Sequence, residues 1–184
     1  MTFYDTIPSP VGELLIAADE SGLTTIRFEQ SRHGREDAAA WTPAAEATGA
    51  AARVLRAARE QLDAYFAGEI DTFDLPLGPR GTTFQQRVWS RLREIPFGET
   101  ISYAELAHRV GDPRAVRAVG GANGRNPLPI VVPCHRVIGA DGSLTGFGGG
   151  IDRKRWLLEH EGALERDLTA VDKLTYGQLL NCGQ

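Results

Sequence analysis

The sequence predicts a two-part fold, α/β plus α: a unit with an antiparallel sheet, then a mainly helical unit that contains a helix-turn-helix. Three observations predict it. Short apolar runs alternate with Pro- and Gly-rich turns over the first 28 residues, apolar residues recur at helical spacing over 50–67, and several short helices with their own start and stop signals follow residue 79. The 184 residues suffice for two small domains sharing an interface. We expect domains over 1–78 and 79–165, and a peripheral tail over 166–184.

The N-terminal part is expected to be a β-meander packed against one helix. Three strands are predicted, over residues 3–7, 13–18 and 23–28, because turn-forming residues separate these apolar runs. Residues 31–49 are polar and Ala-rich without a clear period, which predicts a loop. The helix is predicted over 50–67, where Gly68 ends the apolar spacing. A short extended segment over 73–77 leads to the boundary between the two parts.

The second part begins with a helix signalled by a capping box, Thr83-Phe84-Gln85-Gln86. Ser102-Tyr103-Ala104-Glu105 has the same form and starts a short helix that Gly111 ends. Asp112-Pro113 then predicts an N-cap and the first residue of another helix, over 113–123. Two helices joined by a tight turn containing Gly form the helix-turn-helix pattern.

The second helix of this pattern carries residues suited to DNA. Arg114 and Arg117 can meet phosphates, and Ala118, Gly121 and Ala122 are small enough for a groove wall to come close. The same small residues would equally serve tight packing of helices inside the protein. The pattern alone therefore leaves both interpretations open.

An adjacent cysteine and histidine form the clearest candidate for chemistry. Leu128 to Val132 is apolar and β-branched, which predicts a buried strand that Pro133 ends. The proline places Cys134 and His135 in a turn, where the two side chains can cooperate. A thiol beside a base is the minimum for a nucleophilic sulfur, because the thiolate is the reactive form. A lone cysteine is also often just a small buried apolar side chain.

After the cysteine, a glycine-rich loop over 144–150 offers backbone N–H groups but lacks the spacing of a phosphate-binding loop. Asp152 is predicted to cap the helix that follows, and Glu161 lies near the end of that helix.

Composition and charge exclude several classes of protein. No apolar run approaches the roughly 20 residues of a membrane helix, and the first residues lack the features of a signal peptide, so we expect a cytoplasmic protein without membrane association. The two cysteines, Cys134 and Cys182, are too few for a disulfide framework or a four-thiolate zinc site, so no metal is predicted.

The net charge of −4 alone argues against a nucleic-acid partner. Residues 1–80 carry a net charge of −6, whereas residues 81–136 carry eight arginines against four acids, a net charge of +4. The basic segment fits either DNA binding or an ordinary solvated surface.

Several segments of the second part occur together in one known family. They are Thr100–Tyr103, Arg117–Asn123, Asn126-Pro127, Ile130–Gly139 and Trp156–Gly162. Over residues 81–162 they resemble the methylated-DNA–protein-cysteine methyltransferases, also called O6-alkylguanine-DNA alkyltransferases, and Pro133–Val137 is the most specific block. The resemblance implies a ribonuclease-H-like N-terminal domain and a winged-helix-like C-terminal domain that contains the helix-turn-helix.

The resemblance assigns catalytic roles residue by residue. Cys134 becomes the alkyl acceptor, and His135 the base that deprotonates the thiol through a water molecule. Glu161 orients His135, and Asn126 braces the turn that presents the cysteine.

The resemblance also implies double-stranded alkylated DNA as the partner, bound through the minor groove with the damaged base flipped out. Arg117 fills the gap in the duplex, and Tyr103 rotates the nucleotide out and donates to its ring nitrogen. Further DNA contacts come from Arg114, Ala118, Gly121 and Ala122. The base itself is bound by Tyr103, Val137, Phe147 and Gly148. Many relatives have Tyr at the position of Phe147, so this chain keeps the ring without the hydroxyl.

The activity implied by the resemblance is a single-turnover transfer from O6-alkylguanine, and from O4-alkylthymine, to Cys134 without a cofactor. We expect a monomer, with clustering along DNA left open. Two other functions remain to be distinguished: a multi-turnover cysteine hydrolase or acyltransferase that uses the same Cys-His pair, and a DNA-binding or damage-sensing module without catalysis.

Overall fold

The structure is a computed structural model that describes residues 1–29 and 40–165. The tail predicted over 166–184, with Cys182, lies outside the described residues, as does much of the loop predicted over 31–49. No helix in the described part of the chain is long and apolar enough to cross a membrane.

A four-stranded sheet forms the N-terminal part. Its strands are β1 (Phe3–Ile7), β2 (Leu14–Asp19), β3 (Gly22–Phe28) and β4 (Thr42–Pro43). The order is β3-β2-β1-β4; β2 is antiparallel to both of its neighbours, β1 and β3, and β4 is parallel to β1. The meander is confirmed, but the prediction of a loop throughout 31–49 is wrong. It missed β4 and the 3-10 turn Ala44–Glu46, since two or three residues are too few to show a period.

Helix α1 (Gly49–Phe66) packs its apolar face on the sheet, close to the predicted bounds. The buried residues on that face are Ala51, Val54, Leu55, Ala58, Leu62 and Tyr65. Residues 67–82 then link the helix to the second part, and the domain boundaries expected at residues 78 and 165 stay predictions.

The outer side of the edge strand β3 is hydrogen-bonded. The Leu23 N–H donates to the Pro76 carbonyl oxygen at 2.8 Å, so the extended segment predicted over 73–77 meets the sheet here, and Leu77 forms a single-residue bridge. Further along β3, the Ile26 N–H donates to the carbonyl oxygen of Pro127 in the second part, also at 2.8 Å. The sheet is therefore joined by backbone hydrogen bonds to the linking segment and, through Ile26 and Pro127, to the C-terminal part.

The C-terminal part is mainly helical. Its elements are α2 (Thr83–Leu92), β5 (Ile101–Ser102), α3 (Tyr103–Val110), α4 (Val116–Gly124), β6 (Val137–Ile138) and α5 (Ile151–His160). Helices α2, α3 and α4 pack on one another, and β5 pairs in parallel with β6. Helices α3 and α4 are the predicted helix-turn-helix, and Gly111, at φ +93°, ends α3 as expected.

Two helix starts differ from the sequence predictions by one or two residues. Thr82, not Thr83, is the N-cap of α2: its hydroxyl accepts from the Gln85 N–H at 3.2 Å, and the Gln85 side chain accepts from the Thr82 N–H at 2.9 Å. Both threonines have a glutamine three residues later, so spacing alone does not choose between them. Helix α5 starts at Ile151 after Gly150, which places Asp152 inside the first turn instead of at the cap.

The helix-turn-helix also differs in detail. The Ser102 hydroxyl accepts from the Glu105 N–H at 3.1 Å, but the Glu105 carboxylate binds an arginine one turn further along α3, so only half of the predicted capping box forms. Asp112 caps a tight turn through Arg114, whose N–H donates to its carboxylate at 3.1 Å. Helix α4 therefore begins at Val116, three residues later than expected.

Leu128 to Val132 is buried, but the predicted strand is wrong. The segment is a compact turn in which the Val132 N–H donates to the Leu128 carbonyl oxygen at 2.8 Å. Ile130 has φ +76°, the one positive φ outside glycine among residues 1–29 and 40–165. Apolar β-branched residues signalled burial correctly, and the side chain of Asn126 replaces the strand hydrogen bonds, as described below.

Candidate active site and DNA-binding surface

Cys134 begins a single 3-10 turn, Cys134–Arg136, directly after Pro133. The turn is the conformation predicted from the proline. Asn126 bridges the buried segment before it: its amide nitrogen donates to the Val132 carbonyl oxygen at 2.7 Å, and its amide oxygen accepts from the Leu128 N–H at 3.0 Å. The backbone that leads into the cysteine is thus held by one side chain.

Cys134 is buried, with 5% of the residue exposed. Burial raises the pKa of Cys134 to about 11, although a hydrogen bond involving Asn126 and the positive charge of Lys154 act in the opposite direction. The thiol is therefore protonated at neutral pH. It needs a base before it can act as a nucleophile.

His135 is placed to be that base. Its Nε2 lies 2.7 Å from Oε1 of Glu161, and both side chains are buried. Burial lowers the pKa of His135 more than the carboxylate raises it, so the ring is neutral at neutral pH. An ionised carboxylate only accepts, so we assign the hydrogen to Nε2 and the lone pair to Nδ1. In the described part of the chain Nδ1 has no hydrogen-bond partner, which leaves it able to take up a proton.

Glu161 lies directly after α5 and receives several hydrogen bonds. Its Oε1 accepts from Tyr65 at 2.7 Å, from His135 and from the guanidinium of Arg136 at 3.0 Å, while its Oε2 accepts from Arg136 at 2.8 Å. Burial alone would raise the pKa of Glu161, but the hydrogen bond from His135 and the hydrogen bonds and charge of Arg136 outweigh it and hold the pKa well below its usual range. The carboxylate is therefore ionised.

Lys154 is a fully buried cation beside these groups. Its Nζ donates to the carbonyl oxygens of Val137 at 2.5 Å and Thr145 at 2.8 Å. Burial lowers the pKa of Lys154 to about 8. The side chain connects the strand after the cysteine turn to the glycine-rich loop.

Tyr103, at the start of α3, reaches the same loop. Its hydroxyl donates to the Thr145 carbonyl oxygen at 2.9 Å, the oxygen that Lys154 also binds. Burial raises the pKa of Tyr103, so the hydroxyl keeps its proton at neutral pH. A proton donor is thus fixed close to the glycine-rich loop.

A cavity of about 410 Å³ opens beside Cys134. Its walls come from the loop after α4, the glycine-rich loop and strand β3: Asn123–Pro127, Pro129, Gly146–Gly149 and Thr25–Phe28. Of the predicted base-binding residues, Phe147 and Gly148 line it, while Val137 and Tyr103 adjoin the loop through Lys154 and Thr145. Phe147 lies edge-to-face on Phe28, with ring centroids 5.7 Å apart.

The residues predicted to contact DNA lie together. Arg114, Arg117, Ala118, Gly121 and Ala122 line one shallow groove between α4 and the start of α2. All of them are exposed except Ala122. Ala122 packs inside the protein, where its carbonyl oxygen accepts a hydrogen bond from the indole N–H of Trp89, on α2, at 2.9 Å. Of the small residues of α4, Ala118 and Gly121 are therefore open to a DNA groove, whereas Ala122 serves helix packing inside the protein.

Sequence reasoning missed three functional candidates: Tyr65, Arg136 and Lys154. The apolar spacing over 50–67 indicates only that Tyr65 lies in a helix, and Arg136 appears only as part of the block Pro133–Val137. Lys154 did carry a signal, because it lies on the buried side of α5, at helical spacing from Leu157 and Leu158. A lysine on a buried stripe is unusual and marks a specific role.

Within residues 1–29 and 40–165, no three His, Cys, Asp or Glu side chains are grouped as they would be to hold a metal ion.

Two family models match the chain. The ribonuclease-like domain of 6-O-methylguanine DNA methyltransferase matches residues 2–79, and the DNA-binding domain of the same family matches residues 83–163. Among curated relatives, the methylated-DNA–protein-cysteine methyltransferase of Mycobacterium tuberculosis is 51% identical over 173 residues, 94% of this chain and 100% of the relative. The Methanosarcina acetivorans protein of the same name is 48% identical over 161 residues, 88% of this chain and 99% of the relative.

Solved structures agree. The O6-methylguanine methyltransferase of Mycobacterium tuberculosis is 52% identical, with a TM-score of 0.78 over 92% of this chain and 98% of that one. A structure described as Mycobacterium tuberculosis OGT in complex with DNA is 52% identical, with a TM-score of 0.76 over 88% of this chain and 93% of that one.

Proposed function

The chain belongs to the methylated-DNA–protein-cysteine methyltransferases, and from this premise we propose that Cys134 is the residue that accepts the alkyl group. The protein is a DNA repair enzyme that transfers an alkyl group from DNA to its own cysteine. The proposal rests on the position of Cys134. It lies beside a cavity and next to His135, whose Nε2 is hydrogen-bonded to the buried carboxylate of Glu161.

The reaction proceeds by displacement at the alkyl carbon. His135 Nδ1 takes the thiol proton through a water molecule, and the sulfur of Cys134 forms a bond to that carbon. The bond from the carbon to the guanine O6 breaks, and its electron pair returns to the base. Tyr103 turns its hydroxyl from the Thr145 carbonyl oxygen to a ring nitrogen of the base and donates a hydrogen bond there, which stabilises the negative charge until the leaving base takes up a proton from solvent. Glu161 stabilises the imidazolium that forms on His135, in the way a triad carboxylate does. The thioether product resists water, so one molecule repairs one lesion.

The target base has to leave the duplex to reach the buried sulfur, at a cost of a few kcal/mol. Arg117 is exposed on α4, where it can enter the minor groove and fill the gap. Arg125 lines both the groove on α4 and the cavity at Cys134, so the groove and the cavity adjoin at this residue. This shared residue supports a path from DNA bound on α4 to the cysteine.

We extend the proposal to the base and its surroundings. The backbone N–H of Gly148 meets the guanine oxygen, and the carbonyls of Cys134 and Val137 accept from its amino group. O6-alkylguanine is the main substrate, and O4-alkylthymine presents an alkylated oxygen at the corresponding edge. The protein acts as a monomer on double-stranded DNA, and several molecules can cluster along one duplex. It works in the cytoplasm, where thiols are kept reduced.

Mass spectrometry tests the acceptor. After incubation with duplex DNA containing O6-methylguanine, we expect one added methyl group per molecule, on the peptide that contains Cys134. Cys134→Ala should abolish the transfer, and Cys182→Ala is the matched control that should retain it. Methylation of the Cys134→Ala protein would contradict the assignment. Sustained turnover on esters or amides would instead favour a hydrolase, and tight lesion binding without transfer would favour a damage sensor.

A further inference from the structure

The carboxylate at the end of the proton relay is bound by the N-terminal part of the protein. Tyr65, on α1, donates its hydroxyl to Glu161 Oε1 at 2.7 Å, the same oxygen that accepts from His135. Resting on the function proposed above, we propose that Tyr65 is a positioning residue for alkyl transfer: its hydroxyl fixes the Glu161 carboxylate and thereby sets the orientation and basicity of His135.

The ring of Tyr65 has a fixed position. It is 0% exposed and lies among four other rings, at centroid distances of 5.1–6.2 Å. These neighbours are Phe66, Phe73, Phe97 and His160. The backbone is held as well, because the His160 ring nitrogen bonds the Tyr65 carbonyl oxygen at 2.7 Å. His160 directly precedes Glu161, so the end of α5 contacts both the main chain and the hydroxyl of one tyrosine.

The direction of the hydrogen bond follows from the charges. Burial and the neighbouring charge of Glu161 raise the pKa of Tyr65 far above its usual value, so the phenol keeps its proton. The Glu161 carboxylate is ionised and only accepts. Tyr65 is therefore a permanent donor to Glu161, and hydrogen bonds from a fixed donor to a charged group are among the stronger ones.

This hydrogen bond affects His135 in two ways. Glu161 Oε1 accepts from three donors, and removing the tyrosine hydroxyl leaves only His135 and Arg136. The carboxylate is then less neutralised by hydrogen bonds, and its orientation is less restrained. A less neutralised carboxylate stabilises the imidazolium form more, which raises the pKa of His135. Looser orientation also slows proton transfer, because the relay depends on geometry.

Other titratable groups lie around His135 and Glu161, and Tyr65→Phe alters none of them chemically. They are Cys134 and Arg136 in the cysteine turn and Lys154 on α5. A change in the titration of His135 in such a variant is therefore attributable to Tyr65.

The test is Tyr65→Phe, which keeps the ring and removes the hydroxyl, with Tyr4→Phe on β1 as the matched control. The rate of benzyl transfer from free O6-benzylguanine is measured against pH, so DNA binding does not contribute. We expect Tyr65→Phe to be roughly tenfold slower and its acidic limb to move to higher pH, while Tyr4→Phe behaves as the wild type. An unchanged rate, or a slower rate with an unchanged pH profile, would overturn the proposal.

A second measurement needs no substitution and covers the case in which Tyr65→Phe does not fold. In wild-type protein with labelled tyrosines, the Tyr65 hydroxyl proton should give a slowly exchanging NMR signal, and rapid exchange with water would overturn the proposal. Failure of the proposed function is recognised separately, because the wild type itself would then transfer no alkyl group to Cys134.

Discussion

The ammonium nitrogen of Lys154 lies 2.5 Å from the carbonyl oxygen of Val137, three residues after Cys134, in a site without solvent exposure. A buried charge is costly unless it is hydrogen-bonded, and here two carbonyl oxygens supply the partners. The same charge lowers the cost of forming a thiolate at Cys134.

The first prediction follows from this charge. Lys154→Met removes a cation that lowers the pKa of Cys134, so the thiolate fraction at a given pH should fall, by about tenfold for each unit of pKa. The rate of iodoacetamide reaction with Cys134, measured against pH in a Cys182→Ala background, reports this change. Arg155→Met, an exposed neighbour on α5, is the control. Equal rates in the two variants would show that the lysine charge does not act on the thiol.

A second prediction separates base flipping from chemistry. Arg117→Ala should reduce repair of O6-methylguanine in duplex DNA much more than transfer from free O6-benzylguanine, because the free base needs no flipping. Arg56→Ala, exposed on α1, should leave both rates unchanged. Parallel losses of Arg117→Ala on the two substrates would count against a role of Arg117 in the duplex.

A third prediction concerns stability and acid. Glu161→Gln leaves the buried Arg136 without its ionised partner, so the free energy of unfolding at neutral pH should fall by roughly 3–5 kcal/mol. In the wild type the folded-state pKa of Glu161 is held below the unfolded value of about 4.3. Its contribution is therefore complete above that pH and is lost as the pH falls towards the folded-state pKa.

Urea unfolding at neutral pH and below about pH 4 tests this prediction. Glu161→Gln should show a shallower loss of stability on acidification than the wild type, whereas Glu159→Gln should follow the wild type. The same acid dependence in Glu161→Gln and the wild type would contradict it.

The fourth prediction concerns the wall of the cavity. Phe28 lines it from β3 and packs against Phe147, so Phe28→Leu should widen it at a stability cost on the order of 1–2 kcal/mol. Transfer from O6-benzylguanine should then increase relative to transfer from O6-methylguanine. Phe3→Leu on β1 should keep the wild-type ratio of the two rates. An unchanged ratio in Phe28→Leu would mean that β3 does not limit the alkyl group.

The sequence predicted the elements well where an apolar period was long. Three strands and the helix α1 appear within one or two residues of their predicted bounds, because each buries a face that repeats over several residues. The prediction of individual cap residues was less accurate. Thr82 and Thr83 match the same capping pattern, and only the hydrogen bond to Gln85 distinguishes them.

The candidate site was predicted in part for a similar reason. Cys134 and His135 are adjacent in the chain, so a local pattern identified them. Tyr65 lies 96 residues from Glu161 and reaches it only after the two parts of the protein have packed. No periodic pattern in the local sequence indicates a contact between residues so far apart. The contribution of β3 to the cavity was missed for the same reason.

The backbone hydrogen bond from Ile26 to Pro127 also has a consequence for solubility. An uncovered edge strand is a template for pairing with strands of other molecules, and β3, an edge strand rich in buried apolar residues, would become one if its outer side were freed. In the folded protein its outer N–H groups at Leu23 and Ile26 are occupied by the linking segment and by the C-terminal part. Separation of the two parts would uncover this edge, so intermolecular β-aggregation is expected to begin with loss of their contact.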